Sequence, residues 1–194
     1  MAPRNTELTL TTARLSIEPL AERDIDAFTE YRRDPDVARF QSWDTDYSRA
    51  DAERLVTDQP DGRLPSSGSW LQLAVRETGS DVLLGDLALH RLEDQPDTFE
   101  VGVTLARSSR GRGIATEALA ALLDHLFDDE HAHRVVAFCD LRNVAVARLL
   151  THSGFRQESR QVDADWFKGA WTTLDGYALL ARERSGVAGS GTRP

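Results

Sequence analysis

The segment Arg107-Ser108-Ser109-Arg110-Gly111-Arg112-Gly113-Ile114-Ala115-Thr116-Glu117 decides how the rest of the chain is read. It joins an alternating apolar run at 99–105 to an Ala/Leu-rich run at 114–127 with a continuous apolar face, the strongest helix signal in the sequence. Gly111 and Gly113 let the backbone approach a ligand closely, because no Cβ intervenes. The first N–H groups of a helix lack internal partners, and the helix dipole adds partial positive charge there. A diphosphate is the natural guest. One exposed contact of this kind contributes roughly 0.3–1 kcal/mol, so several amides together with Arg110 and Arg112 would be needed. The same glycines also suit a plain helix-entry turn, and by themselves they leave both readings open. An ATP loop of the form G-x-x-x-x-G-K-[ST] is excluded, since this segment contains no lysine. A dinucleotide fingerprint fits poorly, with Thr116 at the third glycine position and five residues between Leu105 and Gly111.

Working outward toward the N-terminus, residues 9–20 alternate partially and read as a strand ending at Pro19. Residues 21–40 read as helical until Pro35 interrupts them. Ser48 with Asp51 forms an imperfect capping box for a second helix, and a polar stretch follows at 58–69. Residues 70–75 and 82–90 form a hairpin about Thr78-Gly79-Ser80. Toward the C-terminus, residues 134–139 are a short strand, and 143–152 a helix stopped by Gly154. Residues 155–162 and 171–180 make a final strand pair. The organisation is one α+β domain over residues 8–182. It has a mixed, mostly antiparallel sheet flanked by helices and a β-α-β-α-β C-terminal half. Residues 183–194 read as a disordered Gly/Ser-rich tail.

The 194 residues carry 23 Lys+Arg against 32 Asp+Glu, a formal net charge of −9, which argues against nucleic-acid binding. All but one of the cations are arginine, the exception being Lys168; GC-rich coding accounts for this better than anion binding does. The single cysteine, Cys139, excludes an internal disulfide and a multi-Cys zinc site. His125, His131 and His133 lie in an acidic helix end, which reads as solvated rather than as a metal site. No apolar run is long enough to span a membrane and residues 1–10 lack a signal-peptide core, so a cytoplasmic protein is expected.

Arg110-Gly111-Arg112-Gly113-Ile114-Ala115 resembles the R/Q-x-x-G-x-G/A signature of GNAT-superfamily acyltransferases. Glu100-Val101-Gly102-Val103-Thr104-Leu105 is similar to the strand before that signature. Asn143, Arg148, Leu150 and Gly154-Phe155 resemble its later N…R-x-L…GF pattern, and Trp166, Lys168-Gly169 and Trp171 its closing strands. The likeness runs from about Leu10 to Ala181 and is greatest to the ribosomal-protein N-terminal acetyltransferase branch. It implies an acyl-CoA-dependent N-acyltransferase moving acetyl from acetyl-CoA to a primary amine by direct attack, without a metal. The acceptor would be a protein N-terminus or a small amine, and a homodimer is the family expectation. A CoA-binding module without turnover and a NAD-binding enzyme are the alternatives.

The resemblance further implies that the strand at 99–105 splays from that at 134–139. Val103, Thr104 and Leu105 would then pair their backbone with the pantetheine. Arg110, Gly111, Arg112, Gly113, Ile114, Ala115 and Thr116 would hold the diphosphate. Asn143 would bond the pantetheine arm, and Arg148 is a further phosphate contact. Presenting a lysine-like amine neutral near pH 7 costs about 4–5 kcal/mol, and Glu100 is the candidate general base. Relatives carry hydroxyls where Val146 and Leu150 stand, so no general acid is named; Cys139 and Ser153 are the conceivable substitutes. Trp43, Asp44, Asp46 and Trp166 are candidates for the acceptor pocket.

Overall fold

The computed structural model describes residues 8–60 and 64–187. The expectations for residues 1–7 and 188–194 lie outside them. One eight-stranded sheet runs in the order β1-β2-β3-β4-β5-β6-β8-β7. Its strands are β1 (Leu10–Thr11), β2 (Leu15–Pro19), β3 (Trp70–Glu77), β4 (Leu83–Arg91), β5 (Thr98–Leu105), β6 (Arg134–Asp140), β7 (Arg156–Phe167) and β8 (Ala170–Leu180). Every pairing is antiparallel except β5 with β6. The helices are α1 (Ile25–Arg32), α2 (Pro35–Ala38), α3 (Arg49–Thr57), α4 (Ile114–Asp124), α5 (Val144–His152) and α6 (Ala181–Val187). The mixed sheet and the β5-α4-β6-α5-β7 succession match the expected α+β class.

Alternation along the strands sorts the two faces. Leu71, Leu73, Val75, Leu87, Leu89, Phe99 and Val101 join Leu119, Leu122, Leu123 and Leu126 of the α4 segment in the main core. Phe28, Tyr31, Val37 and Tyr47 pack with Ala74 in a second cluster under α1 and α2. Polar side chains on neighbouring rungs of β3, β4 and β5, Gln72, Asp86 and Thr104, are buried as well. A buried polar side chain without a partner is costly. These three therefore mark where something other than packing is built.

Local chemistry moves several boundaries. Residues 9–20 form two strands rather than one, because Thr12 N–H donates to the Leu15 carbonyl and the Thr12 hydroxyl accepts from Leu15 N–H, closing a turn. The helical run to residue 40 breaks at Asp34, whose carboxylate caps α2 by accepting from Asp36 N–H, with Pro35 at the first helical position. α4 ends at Asp124 and passes into a π-helical turn, His125–Asp129, in which His125 Nδ1 lies 2.9 Å from Asp129. The long hairpin β7–β8 extends beyond its expected bounds through two register shifts. α6 occupies the start of the expected tail: Glu183 accepts from Leu180 N–H and pairs with Arg156, while Arg184 pairs with Asp124. Among the described residues no helix is long and apolar enough to cross a membrane.

Candidate active site

β5 and β6 are paired over three rungs only, Thr98↔Arg134, Phe99↔Val135 and Glu100↔Val136. Both strands then continue without each other. Leu92 N–H donates to the Thr98 carbonyl and Ala106 N–H to the Leu84 carbonyl, each at 3.0 Å. In the unbroken register from Gly85↔Leu105 to Arg91↔Phe99, the even-numbered residues of β5 therefore bond β4. The N–H and C=O groups of Val101, Val103 and Leu105 point the other way, toward the strand that has left. Thr104 is different: its carbonyl oxygen fills the space where a Cβ on Gly85 would stand, so its backbone serves β4. Of the three residues expected to pair with pantetheine, Val103 and Leu105 have the free groups.

The splay opens a groove of about 370 Å³. Val103, Thr104, Leu105, Arg110, Gly111, Ala115 and Asn143 line it, as do Val146 and Leu149 of α5 and Val37, Phe40 and Gln41 from the α2 side. Gly111 and Gly113 have φ of +74° and +76°, the left-handed region that glycine tolerates, and Gly113 caps α4. A side chain at Gly111 would meet nothing within 4 Å, so the approach to its backbone is open. Among the described residues, no protein acceptor takes the N–H groups of residues 111–116. Such a row of unspent donors at a helix N-terminus is an anion cradle.

The cradle is held from behind. Arg14 Nε donates to Glu117 Oε2 at 2.6 Å and Arg14 Nη1 donates to the Arg112 carbonyl at 3.1 Å, tying the β1–β2 turn to the loop. Hydrogen bonds from Thr12 and Arg14 hold the Glu117 carboxyl below its ordinary range. Ile114 is buried in the core and Arg112 reaches Glu77 at 3.6 Å, so neither side chain faces the groove. Arg110 donates to the Asp36 carbonyl at 3.2 Å while lining it. Asn143 caps α5, its Oδ1 accepting from Val146 N–H at 3.3 Å, which leaves its amide N–H₂ for the groove. Arg148 is exposed on α5 and outside the lining.

A second cavity of about 480 Å³ adjoins the groove, the two sharing Gln41, Val103 and Thr104. Trp43 and Trp70 wall it, and Asp86, Ala88, Gly102 and Gln72 belong to its sheet side. Buried Asp86 accepts hydrogen bonds from the Tyr31 hydroxyl and from Gln72 Nε2. Burial pushes the Asp86 carboxyl up, and burial together with the Asp86 charge raises the Tyr31 phenol. Trp43 is the one expected acceptor-pocket residue that lines this cavity. Asp44 instead meets Lys168 at 2.9 Å, and Trp166 lies exposed edge-to-face against Trp171. Gln41, Trp70, Gln72, Asp86 and Arg32 are lining residues that the sequence reading misses. Alternation places Gln72 and Asp86 on the face opposite Leu71, Leu73, Leu87 and Leu89, so their burial carries no signal in the sequence.

Glu100 follows Gly102 and Thr104 on the same face of β5. Its carboxylate is half-buried and 3.6 Å from His90 Nδ1, and the His90 ring stacks on Trp70 at 4.5 Å, at one end of the cavity. Burial raises the Glu100 carboxyl, with His90 opposing the rise. Leu150 is buried in the core and Val146 lines the groove, so neither position offers a hydroxyl. Cys139 is buried, and desolvation with Asp175 and Asp140 pushes its thiol up to about 11, which makes it a poor acid.

The Acetyltransferase (GNAT) domain family matches residues 14–156. The chain belongs to this family. The uncharacterized N-acetyltransferase p20 of Bacillus licheniformis is 28% identical over 181 residues, covering 92% of this chain and 99% of its own. The ribosomal-protein-serine acetyltransferase of Escherichia coli is 30% identical over 100 residues, 52% of this chain and 56% of that protein. The spermidine N-acetyltransferase of Vibrio cholerae, solved with CoA and spermine, superposes with a TM-score of 0.76 at 16% identity, covering 89% of this chain and 98% of that one. This GNAT chain is thus an acyl-CoA-dependent N-acetyltransferase, with acetyl-CoA as its co-substrate.

Proposed function

We propose that the β5–β6 groove binds acetyl-CoA and that the adjoining cavity receives a primary amine, so that the two meet at Val103 and Thr104. The observation that carries this is the early end of the β5–β6 ladder, which frees one backbone edge between the two cavities. Val103 and Leu105 offer that edge to the pantetheine amides. The N–H groups of residues 111–116, that of Arg112 among them, and the Arg110 side chain hold the diphosphate, and the Asn143 amide bonds the arm. Arg148, exposed on α5, is at most an outer phosphate contact. Acetyl-CoA supplies an activated acyl carbon.

Glu100 takes the ammonium proton, directly or through one water, and the neutral amine then attacks. The C–N bond forms, the C–S bond breaks and the sulfur leaves as a thiolate, which takes up the proton that the new amide nitrogen loses. With a thiol pKa of ~8.5, departure needs no protein acid, which suits a groove bearing Val146. The acceptor is a protein N-terminus or a small amine, the reaction cytoplasmic, and the enzyme a homodimer. The decisive assay follows thiol release from acetyl-CoA across amines and N-terminal peptides, with sedimentation giving the oligomeric state. Tight CoA binding with no thiol release from any amine would make the chain a binding module instead.

A further inference from the structure

Arg32 lines the second cavity with more donor capacity than its surroundings use. Its side chain is 5% exposed. The guanidinium carbon lies 3.6 Å from the Trp43 ring centre and 3.9 Å from that of Phe28, with Tyr47 at 5.1 Å. Nε has no hydrogen-bond partner among the described residues. The nearest carboxylate oxygen, Asp86 Oδ2, is 3.6 Å from Nη2, beyond hydrogen-bonding distance. That carboxylate is already shared between Tyr31 and Gln72. A buried, permanently charged fork with an orphan N–H is an unfinished binding site, since such groups are costly to leave unmet.

We infer that Arg32 is a specificity-determining residue that binds a carboxylate carried by the acceptor, so that the substrate is a small amine bearing a free carboxylate. This rests on the second cavity being the acceptor site. Asp86 balances the charge from 3.6 Å without hydrogen-bonding it, and a carboxylate would meet the planar guanidinium with charge-assisted bonds stronger than those a neutral carbonyl makes. A polyamine would place a further cation against the same caged charge. Asp58, exposed at the lining, and Glu100, half-buried on the Gly102 side, are the acidic groups left for the ammonium end. In the strand register Arg32 lies beside Asp86 and Thr104, and Glu100 stands at the last β5–β6 rung, where the strands begin to part, so the acceptor's carboxylate points toward α1 and its amine toward Glu100.

The experiment compares amino acids, α and ω, with their methyl esters and with the amines lacking the carboxylate. Peptides blocked at the C-terminus form a further arm. The acids should show kcat/KM about 10- to 100-fold above their esters, the range expected for a charge-assisted pair. Arg32→Gln should erase that preference, bringing the ratio of acid to ester kcat/KM down to about one. Esters, decarboxylated amines or blocked peptides matching the acids in the native enzyme would overturn the inference, and that comparison decides even where Arg32→Gln does not fold. If no thiol is released, calorimetric binding of the acid and the ester decides in the same way: equal affinities would overturn it. CoA binding, measured separately, shows whether the reading of the groove fails instead.

Discussion

Each functional side chain owes its role to a neighbour. Glu100 is raised by burial, and a base must be deprotonated to act, so kcat/KM should fall on the acid side at a pH above the ordinary carboxylate range. Glu100→Gln should remove that limb and lower kcat/KM by about 10²-fold or more at neutral pH. The stability sign is opposite to the activity sign. A carboxyl whose folded pKa is raised holds its proton more tightly in the folded state, so its contribution is fully present in acid and is lost as pH rises through the folded value. The Gln variant should therefore match or slightly exceed the native melting temperature at pH 7. A pH–rate profile with a parallel melting curve checks both; an unchanged acid limb in Glu100→Gln would remove the base. At this scale the sequence is most legible where function is local. Arg110 to Ala115 can be read from one short consecutive stretch, because a helix N-terminus needs no distant partner. Arg32, Asp86 and Tyr31 cannot: the Tyr31–Asp86 bond joins residues 55 apart, and only folding sets them side by side.

At the scale of elements, the hairpin β7–β8 and the segment after α2 act together. Lys168, at the hairpin tip, donates to the Ala38 carbonyl at 2.8 Å and the Trp43 carbonyl at 2.6 Å and meets Asp44 at 2.9 Å. An ammonium has three donors, and here each has an acceptor. The segment it ties down carries Phe40 and Gln41 into the groove and Gln41 and Trp43 into the second cavity. Lys168→Met should raise the KM for acetyl-CoA and for the amine together, several-fold, with a stability loss of about 1–2 kcal/mol; steady-state kinetics and urea unfolding measure the two. Arg at 168 should not rescue, because its planar fork cannot meet acceptors arranged around a point. Gly85 is a second junction. Its missing Cβ makes room for the Thr104 carbonyl and for Leu105, so Gly85→Ala should force β4 from β5 and cost about 3 kcal/mol, read from the urea midpoint. The free edge itself is implied by family likeness, but its alternation, which gives Val103 and Leu105 to the groove and Thr104 to β4, requires the observed register.

For the whole molecule, the order of elements follows from periodicity, and the sheet order adds what periodicity cannot supply. Hydrophobic alternation identifies β3, β4 and β5 as strands without saying that β5 pairs with β6 in parallel and then parts from it. That parting is the molecule's central device, since an acetyltransferase that uses backbone groups to hold its donor needs an unpaired edge inside a sheet. Acetyl-CoA should therefore stabilise the whole fold by bridging β5, the α4 N-terminus and α5. At 100 times its dissociation constant a ligand stabilises by about 2.7 kcal/mol. For a chain of this size that corresponds to a melting-temperature rise of roughly 5–10 °C. Thermal unfolding with acetyl-CoA, and in parallel with NAD, is the most direct test. A rise of that size with acetyl-CoA and none with NAD is the predicted result; no rise with acetyl-CoA would contradict the groove as the donor site.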